Sequence, residues 1–104
     1  MTGDGNGELP VFVIDISGQI AKEIKQILLD AAQTGIESEV RLALKTMVRR
    51  LRQDPLGFGE LVKEYKQLKI LEHVAVVKPL AVRFGIHLDS RLVIISRVRL
   101  LSAP

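Results

Sequence analysis

The sequence has no cysteine and no tryptophan among its 104 residues, and it has a single tyrosine, Tyr65. Without cysteine the chain has no disulfide framework, no thiolate zinc site and no cysteine nucleophile, which fits a reducing compartment. Aromatic residues make up 4% of the chain, too few for a row of rings that stacks on unpaired bases. The composition therefore disfavours a platform for single-stranded nucleic acid.

Long apolar runs are also missing, since none approaches the roughly 20 residues that span a bilayer. Residues 1–10 are rich in glycine and include acidic residues, whereas a signal peptide has a basic segment followed by an apolar one. We predict a cytoplasmic protein with a flexible N-terminal tail at 1–10 and one folded domain at 11–104.

The charge balance is mildly basic. Fifteen lysines and arginines against 12 acidic residues give a formal charge of +3, which is small compared with surfaces that bind nucleic acid without specificity. Hydrophobic residues make up 47% of the chain and charged residues 26%, as is typical of a folded globular protein. Net charge alone does not identify a partner.

Two amphipathic helices are predicted in the first half of the chain. Apolar residues recur every three or four positions over 19–33, after a candidate N-cap at Ser17. A second stripe begins at Ile36, after a candidate capping box formed by Thr34 and Glu37, and ends before Pro55. The short connection predicts an antiparallel helical hairpin.

Strands are predicted before and after this hairpin in the sequence. Residues 11–16 are rich in β-branched side chains and predict a strand with both faces largely covered, and 69–77, 80–88 and 92–101 predict three more. Residues 56–66 are predicted to form a loop. The fold class is therefore α+β in the order β-α-α-β-β-β, with the helical hairpin packed on one face of a mostly antiparallel, four-stranded sheet.

The register of the last hairpin decides which side chains share a face. A three-residue turn at 89–91 produces an apolar face for the helices by pairing Ile86 with Ile94, Val82 with Val98, and Leu80 with Leu100. The same register places Arg83 opposite Arg97 and Ala81 opposite Arg99 on the far face, beside His87.

This far face has two interpretations. Arg83, Arg97 and Arg99 form a candidate binding site for phosphates or for the carboxylates of a partner chain, because guanidinium groups bind both in bidentate geometry. The alternative is a solvated face on which these arginines pair with local acidic residues. Along the second helix, a stripe of basic residues has the same two interpretations, either phosphate contact or a solvated face: Arg41, Lys45, Arg49 and Arg52.

Metal and cofactor chemistry is not predicted. The two histidines, His73 and His87, stand in no metal-ligand spacing, and the glycines of 56–59 lack the lysine and following helix of a phosphate loop. His87 is a candidate general base beside Arg83, with a simple surface residue as the alternative.

The chain resembles the RelE/ParE superfamily of type II toxins over roughly residues 11–101. The similarity lies in the order of the elements and in four segments: Leu51-x-x-Asp54-Pro55, Gly59-Glu60-x-Val62, Val82-Arg83-Phe84-Gly85-Ile86 and Val93-Ile94-Ile95-Ser96-Arg97-Val98. The resemblance implies a toxin domain whose sheet face and flanking groove are held by a cognate antitoxin.

Two activities follow from the resemblance, because some members inhibit DNA gyrase and others cut mRNA on the ribosome. The first implies a domain that acts by binding protein. The second implies a metal-independent endonuclease with candidate catalytic residues Arg83, Arg97 and His87, joined by Lys66 or Lys69. RNA-cleaving members carry an aromatic residue or histidine near the C-terminus, and this chain ends without either. A relative without a toxin role is a further alternative.

Overall fold

The computed structural model describes residues 11–101, and the predicted tail at 1–10 lies outside them. The predicted α+β class is confirmed: a helical hairpin packs on one face of a mixed sheet. The elements in chain order are β1 Val13–Asp15, α1 Gly18–Thr34, α2 Glu37–Gln53, a 3-10 turn Pro55–Gly57, β2 Glu60–Tyr65, a 3-10 turn Lys66–Leu68, β3 Ile70–Val77, β4 Leu80–His87 and β5 Leu92–Leu100.

The helices begin and end largely where the pattern predicts. Ser17 accepts a hydrogen bond from the Ile20 N–H (3.2 Å) and so caps α1. The predicted capping box at Thr34 is wrong, because α1 continues through Thr34, whose hydroxyl donates to the Asp30 carbonyl (3.1 Å). Gly35 ends α1 at a φ of 79°, a left-handed conformation that glycine adopts without a steric penalty.

The sheet has five strands rather than the predicted four, in the order β1-β5-β4-β3-β2. β1 runs parallel to β5, and the other neighbouring strands are antiparallel. The additional strand is β2, where a loop was predicted. All six of its residues are exposed, so it lacks the alternating burial that identifies a strand in a sequence.

The core lies between the helical hairpin and the inner face of the sheet. Apolar stripes of both helices pack against the inward-facing residues of β4 and β5. The core residues of these four elements are Ile20, Ile27, Ala31, Val40, Ala43, Met47, Leu51, Leu80, Val82, Phe84, Ile86, Val93, Ile95 and Val98. The opposite face of the sheet, called the outer face below, is exposed or half-buried. Neither helix described between residues 11 and 101 is long and apolar enough to cross a membrane.

The first strand is shorter and more exposed than predicted. It spans three residues, and the flanking side chains of Val11 and Ile16 are 51% and 43% exposed. Val13 within the strand is 64% exposed. The prediction that both faces are covered is wrong. Only Ile14 is half-buried against the core, while Val13 and Asp15 on the other face are exposed, and β1 is an edge strand paired only with β5.

The register of the last hairpin is confirmed at one end and wrong at the other. Leu80 pairs with Leu100 and Val82 with Val98, as predicted, but the register shifts after Arg83. Ile86 then pairs with Val93 instead of Ile94. This shift is a β-bulge, which adds a residue to β5 and turns Ile95 into the core.

Candidate functional site

The predicted arginine cluster is present on the outer face of the sheet. Arg83 pairs with Arg97, and Arg99 pairs with Ala81, because the predicted register holds in this half of the hairpin. The three arginines line an open cleft of about 230 Å³. The other lining residues come from β3 and β4: Val74, Ala81 and Val82.

The positive charges of the cleft are unevenly compensated. An Nη1 atom of Arg83 lies 3.5 Å from Oε2 of Glu72, so Arg83 has a carboxylate partner. Within residues 11–101, no salt bridge is formed by Arg97 or Arg99. All three arginines are exposed. Among the residues that the structure describes, the cleft therefore presents two guanidinium groups without a salt-bridge partner and a third that is partly neutralised.

Glu72 is held in place from a second side. It lies on β3 between Lys63 of β2 and Gly85 of β4, and its side chain is 17% exposed. Because Gly85 has no side chain, the diagonal neighbour Arg83 reaches the carboxylate across the strand pair. The hydroxyl of Tyr65 donates to Oε1 of Glu72 at 3.3 Å.

The candidate general base is not part of this cleft. His87 lies on the same strand and face as Arg83 but four residues away, a distance of about 13 Å along an extended strand. Its Nδ1 atom lies 2.7 Å from the Ser90 hydroxyl and accepts from the Ser90 N–H at 3.2 Å. The structure thus brings together Arg83, Arg97 and Arg99, and leaves His87 at the turn.

The two candidate lysines also lie outside the cleft. Lys69 forms an ion pair with Asp89 (3.1 Å), at the turn end of the sheet, and Lys66 belongs to the exposed 3-10 turn after β2. Among residues 11–101, the cleft lining therefore holds no side chain that exchanges a proton near neutral pH. The geometry gathers positive charge without a general acid or base in the cleft lining.

Apolar side chains accompany the arginines on the outer face. Val74 and Ala81 line the cleft itself and are half-buried. Elsewhere on this face, Val76 of β3, Ile94 of β5 and Val13 of β1 are 55%, 37% and 64% exposed. A partner that covers the outer face therefore meets valine and isoleucine as well as positive charge, which suits a protein surface better than a bare phosphate backbone.

A second basic surface follows α2. Arg41 pairs with Glu37 one turn earlier (2.7 Å), as expected for a solvated helix face. Lys45, Arg49 and Arg52 line a shallow depression of about 380 Å³ together with Val11, Val48 and Gln53. The structure separates this surface from the arginine cleft, since the two lie on different elements and share no lining residue.

Glu72 and Tyr65 are the residues of this site that the sequence analysis missed. The position of Glu72 could have been predicted from the turn between β3 and β4. Only Lys78 and Pro79 separate the two strands, so Val77 lies opposite Leu80. Counting back along both strands puts Glu72 on the face of Arg83. Tyr65 gave no such signal, because it belongs to the strand that was predicted as a loop.

Within residues 11–101, no group of three or more histidine or acidic side chains is placed to hold a metal ion. Comparisons with family models, with curated proteins and with solved structures each return no match.

Proposed function

We propose that this chain is a toxin-like domain of a type II toxin–antitoxin system that acts in the cytoplasm by binding protein. In this proposal, the arginine cleft on the outer face receives carboxylates of the partner, which is a cognate antitoxin or a target such as gyrase. The observation that carries the proposal is the cleft itself: Arg83, Arg97 and Arg99 gather on a sheet face that no helix covers in the described chain.

The chemistry of the cleft supports protein binding. Guanidinium groups form bidentate hydrogen bonds with carboxylates, and Arg is favoured at the centres of protein interfaces. The apolar side chains of Val74, Val76 and Ile94 on the same face add area that a protein partner would bury. Two copies of this chain would oppose arginines to arginines, so charge favours a foreign, acidic partner over self-association.

The resemblance to RelE/ParE toxins supplies the biological setting of the proposal. The resemblance was based in part on the predicted element order. The structure has one strand more than that order, because β2 forms within the segment predicted as a loop. The proposal of a nuclease receives less support, because His87 and the candidate lysines lie away from the arginines. Cleavage of mRNA in the expression experiment would distinguish it from protein binding.

The test is induced expression of the chain in a bacterial host, with growth and transcript integrity followed together. Growth arrest with intact mRNA is expected, and Arg97→Ala with Arg99→Ala should relieve it. The matched control is Arg41→Ala with Lys45→Ala on α2, which should leave the arrest unchanged. Arrest with mRNA cut at ribosomes would establish the nuclease instead, and normal growth with soluble protein would contradict an active toxin in that host.

A further inference from the structure

A carboxylate lies beside the arginine cleft, in an ion pair with one of its three arginines. Glu72 of β3 lies next to the cleft without lining it, and its Oε2 atom is 3.5 Å from Nη1 of Arg83. The side chain of Glu72 is 17% exposed, whereas that of Arg83 is 52% exposed. Glu72 is thus the less exposed partner of this ion pair. The hydroxyl of Tyr65 holds the other carboxylate oxygen at 3.3 Å.

This arrangement divides the cleft into two unequal halves. On the β5 side, Arg97 and Arg99 have no carboxylate partner among residues 11–101. On the β3 side, the charge of Arg83 is opposed by Glu72, and a ligand carboxylate there meets a like charge as well as a guanidinium. An anion is therefore attracted more strongly to the β5 side.

We infer that Glu72 is a specificity-determining residue of the cleft, an internal counter-ion that directs an incoming carboxylate to Arg97 and Arg99 and weakens its attraction to Arg83. The inference rests on the proposed function, since it assumes that the cleft binds carboxylates. The ion pair with Glu72 still leaves Arg83 with donors for a ligand, because a guanidinium has five N–H groups and one carboxylate needs only part of them.

The consequence for binding is a ranking of the three arginines. Within the described chain, removing the side chain of Arg97 takes away a charge that has no salt-bridge partner, whereas removing that of Arg83 also leaves Glu72 without its salt-bridge partner. Neutralising Glu72 as Glu72→Gln keeps its shape and an acceptor oxygen while removing the repulsion. Glu72→Gln is therefore expected to tighten binding, which is the opposite of what an ordinary contact residue does.

The experiment uses a fluorescein-labelled hexaglutamate peptide as the probe and measures its anisotropy with the full chain at low salt. Glu72→Gln is expected to lower Kd by about threefold to tenfold, and Arg97→Ala to raise it by about tenfold. A hexalysine peptide should not bind. The matched control is Glu64→Gln, which should leave Kd unchanged. Glu64 is an exposed residue of β2 that is paired with Leu71 and directed to the other face of the sheet.

The inference and the proposed function fail in different ways. If the unmodified chain does not bind hexaglutamate, or if Arg97→Ala does not weaken binding, the arginine cleft is not a carboxylate site and the proposed function is contradicted. If Arg97→Ala weakens binding but Glu72→Gln leaves Kd unchanged or raises it, only the role of Glu72 is overturned.

A measurement on the unmodified chain provides an independent check. The side-chain Nε–H signals of the three arginines can be followed by NMR as hexaglutamate is added. The signals of Arg97 and Arg99 should shift at lower peptide concentration than that of Arg83. Simultaneous and equal shifts of all three signals would overturn the inference without changing the assignment of the cleft.

Discussion

Arg83 and Arg97 stand directly opposite each other across β4 and β5, on the face of the sheet that no helix covers in the described chain. Paired residues of neighbouring antiparallel strands have their Cα atoms about 5 Å apart, so the two positive charges repel each other. Glu72 offsets part of this repulsion through Arg83 alone. The pair is a local cost to stability that a binding role would explain.

The first prediction follows from this repulsion. Arg97→Thr is expected to raise the free energy of unfolding by about 0.5 kcal/mol, because it removes one of two opposed charges and introduces a residue favoured in strands. The same variant should bind hexaglutamate more weakly. Urea denaturation at low salt measures the stability, and the gain should shrink as salt is added, since salt screens exposed charges.

The control for this variant is Arg99→Thr. Arg99 is also exposed and on β5, but it lies opposite Ala81, so its replacement relieves no directly opposed charge. A smaller gain in stability is therefore expected. If the two variants change the free energy of unfolding equally, or if Arg97→Thr destabilises the chain, the repulsion is not the cause.

The helices and the class of fold could be predicted from the sequence because their signals are local. The spacing of apolar residues in α1 and α2 and the cap at Ser17 depend on neighbours three or four positions away. The strand β2 could not be predicted in this way. It is fixed by backbone hydrogen bonding to β3, while its own side chains remain exposed on both faces.

The arginine cluster could be predicted only because the bulge falls after Arg83. Between Leu80 and Arg83 the pairing with β5 follows the alternation of side chains, so Arg97 and Arg99 are found where the register places them. Beyond Arg83 the same reasoning put Ile94 in the core and was wrong. The bulge leaves Ser96 unpaired between Ile95 and Arg97, and the residue types at these positions do not mark an extra residue in the sequence.

The second prediction tests that bulge. Ile95→Ala is expected to lower the free energy of unfolding by about 2–5 kcal/mol, because Ile95 is 2% exposed and its removal leaves a cavity in the core. Ile94→Ala should cost less than about 1 kcal/mol, since Ile94 is 37% exposed on the outer face. Urea denaturation compares the two variants. A larger loss of stability for Ile94→Ala than for Ile95→Ala would contradict the bulge and support the regular register.

The third prediction concerns His73, the one polar residue among those described that is buried. Its ring lies 5.5 Å from that of Phe84, and its Nδ1–H donates to the carbonyl of Phe58 at 3.0 Å. His73→Leu is expected to cost about 1–3 kcal/mol, because it leaves that buried carbonyl without its donor. The measurement is again the free energy of unfolding in urea.

The matched control for His73 is His87→Leu. The hydrogen bonds of His87 with Ser90 are exposed to solvent, so water can replace them. A change within about 0.5 kcal/mol is expected. Equal losses for the two histidines would show that the hydrogen bond to Phe58 contributes little to the stability of the fold.

The fourth prediction concerns the part of β5 that β1 does not pair with. β1 pairs only with Leu92, Val93 and Ile94, which leaves the outward edge of the rest of β5 without a strand neighbour in the described chain. On this edge, the Val98 N–H donates to Oε1 of Glu23 on α1 (3.4 Å). Glu23 therefore caps a backbone donor that could otherwise pair with another chain.

Glu23→Ala should increase the hydrogen-exchange rate of the Val98 amide by about fivefold, which corresponds to about 1 kcal/mol for one hydrogen bond. Glu23→Gln keeps an acceptor oxygen at the same place and should retain most of the protection. Amide exchange followed by NMR resolves Val98 from its neighbours Arg97 and Arg99. These two serve as internal references because neighbouring N–H groups of a strand point to opposite edges, so theirs are directed to β4 and not to Glu23. Unchanged exchange at Val98 in Glu23→Ala would show that packing of α1 against β5, and not the carboxylate, protects this edge.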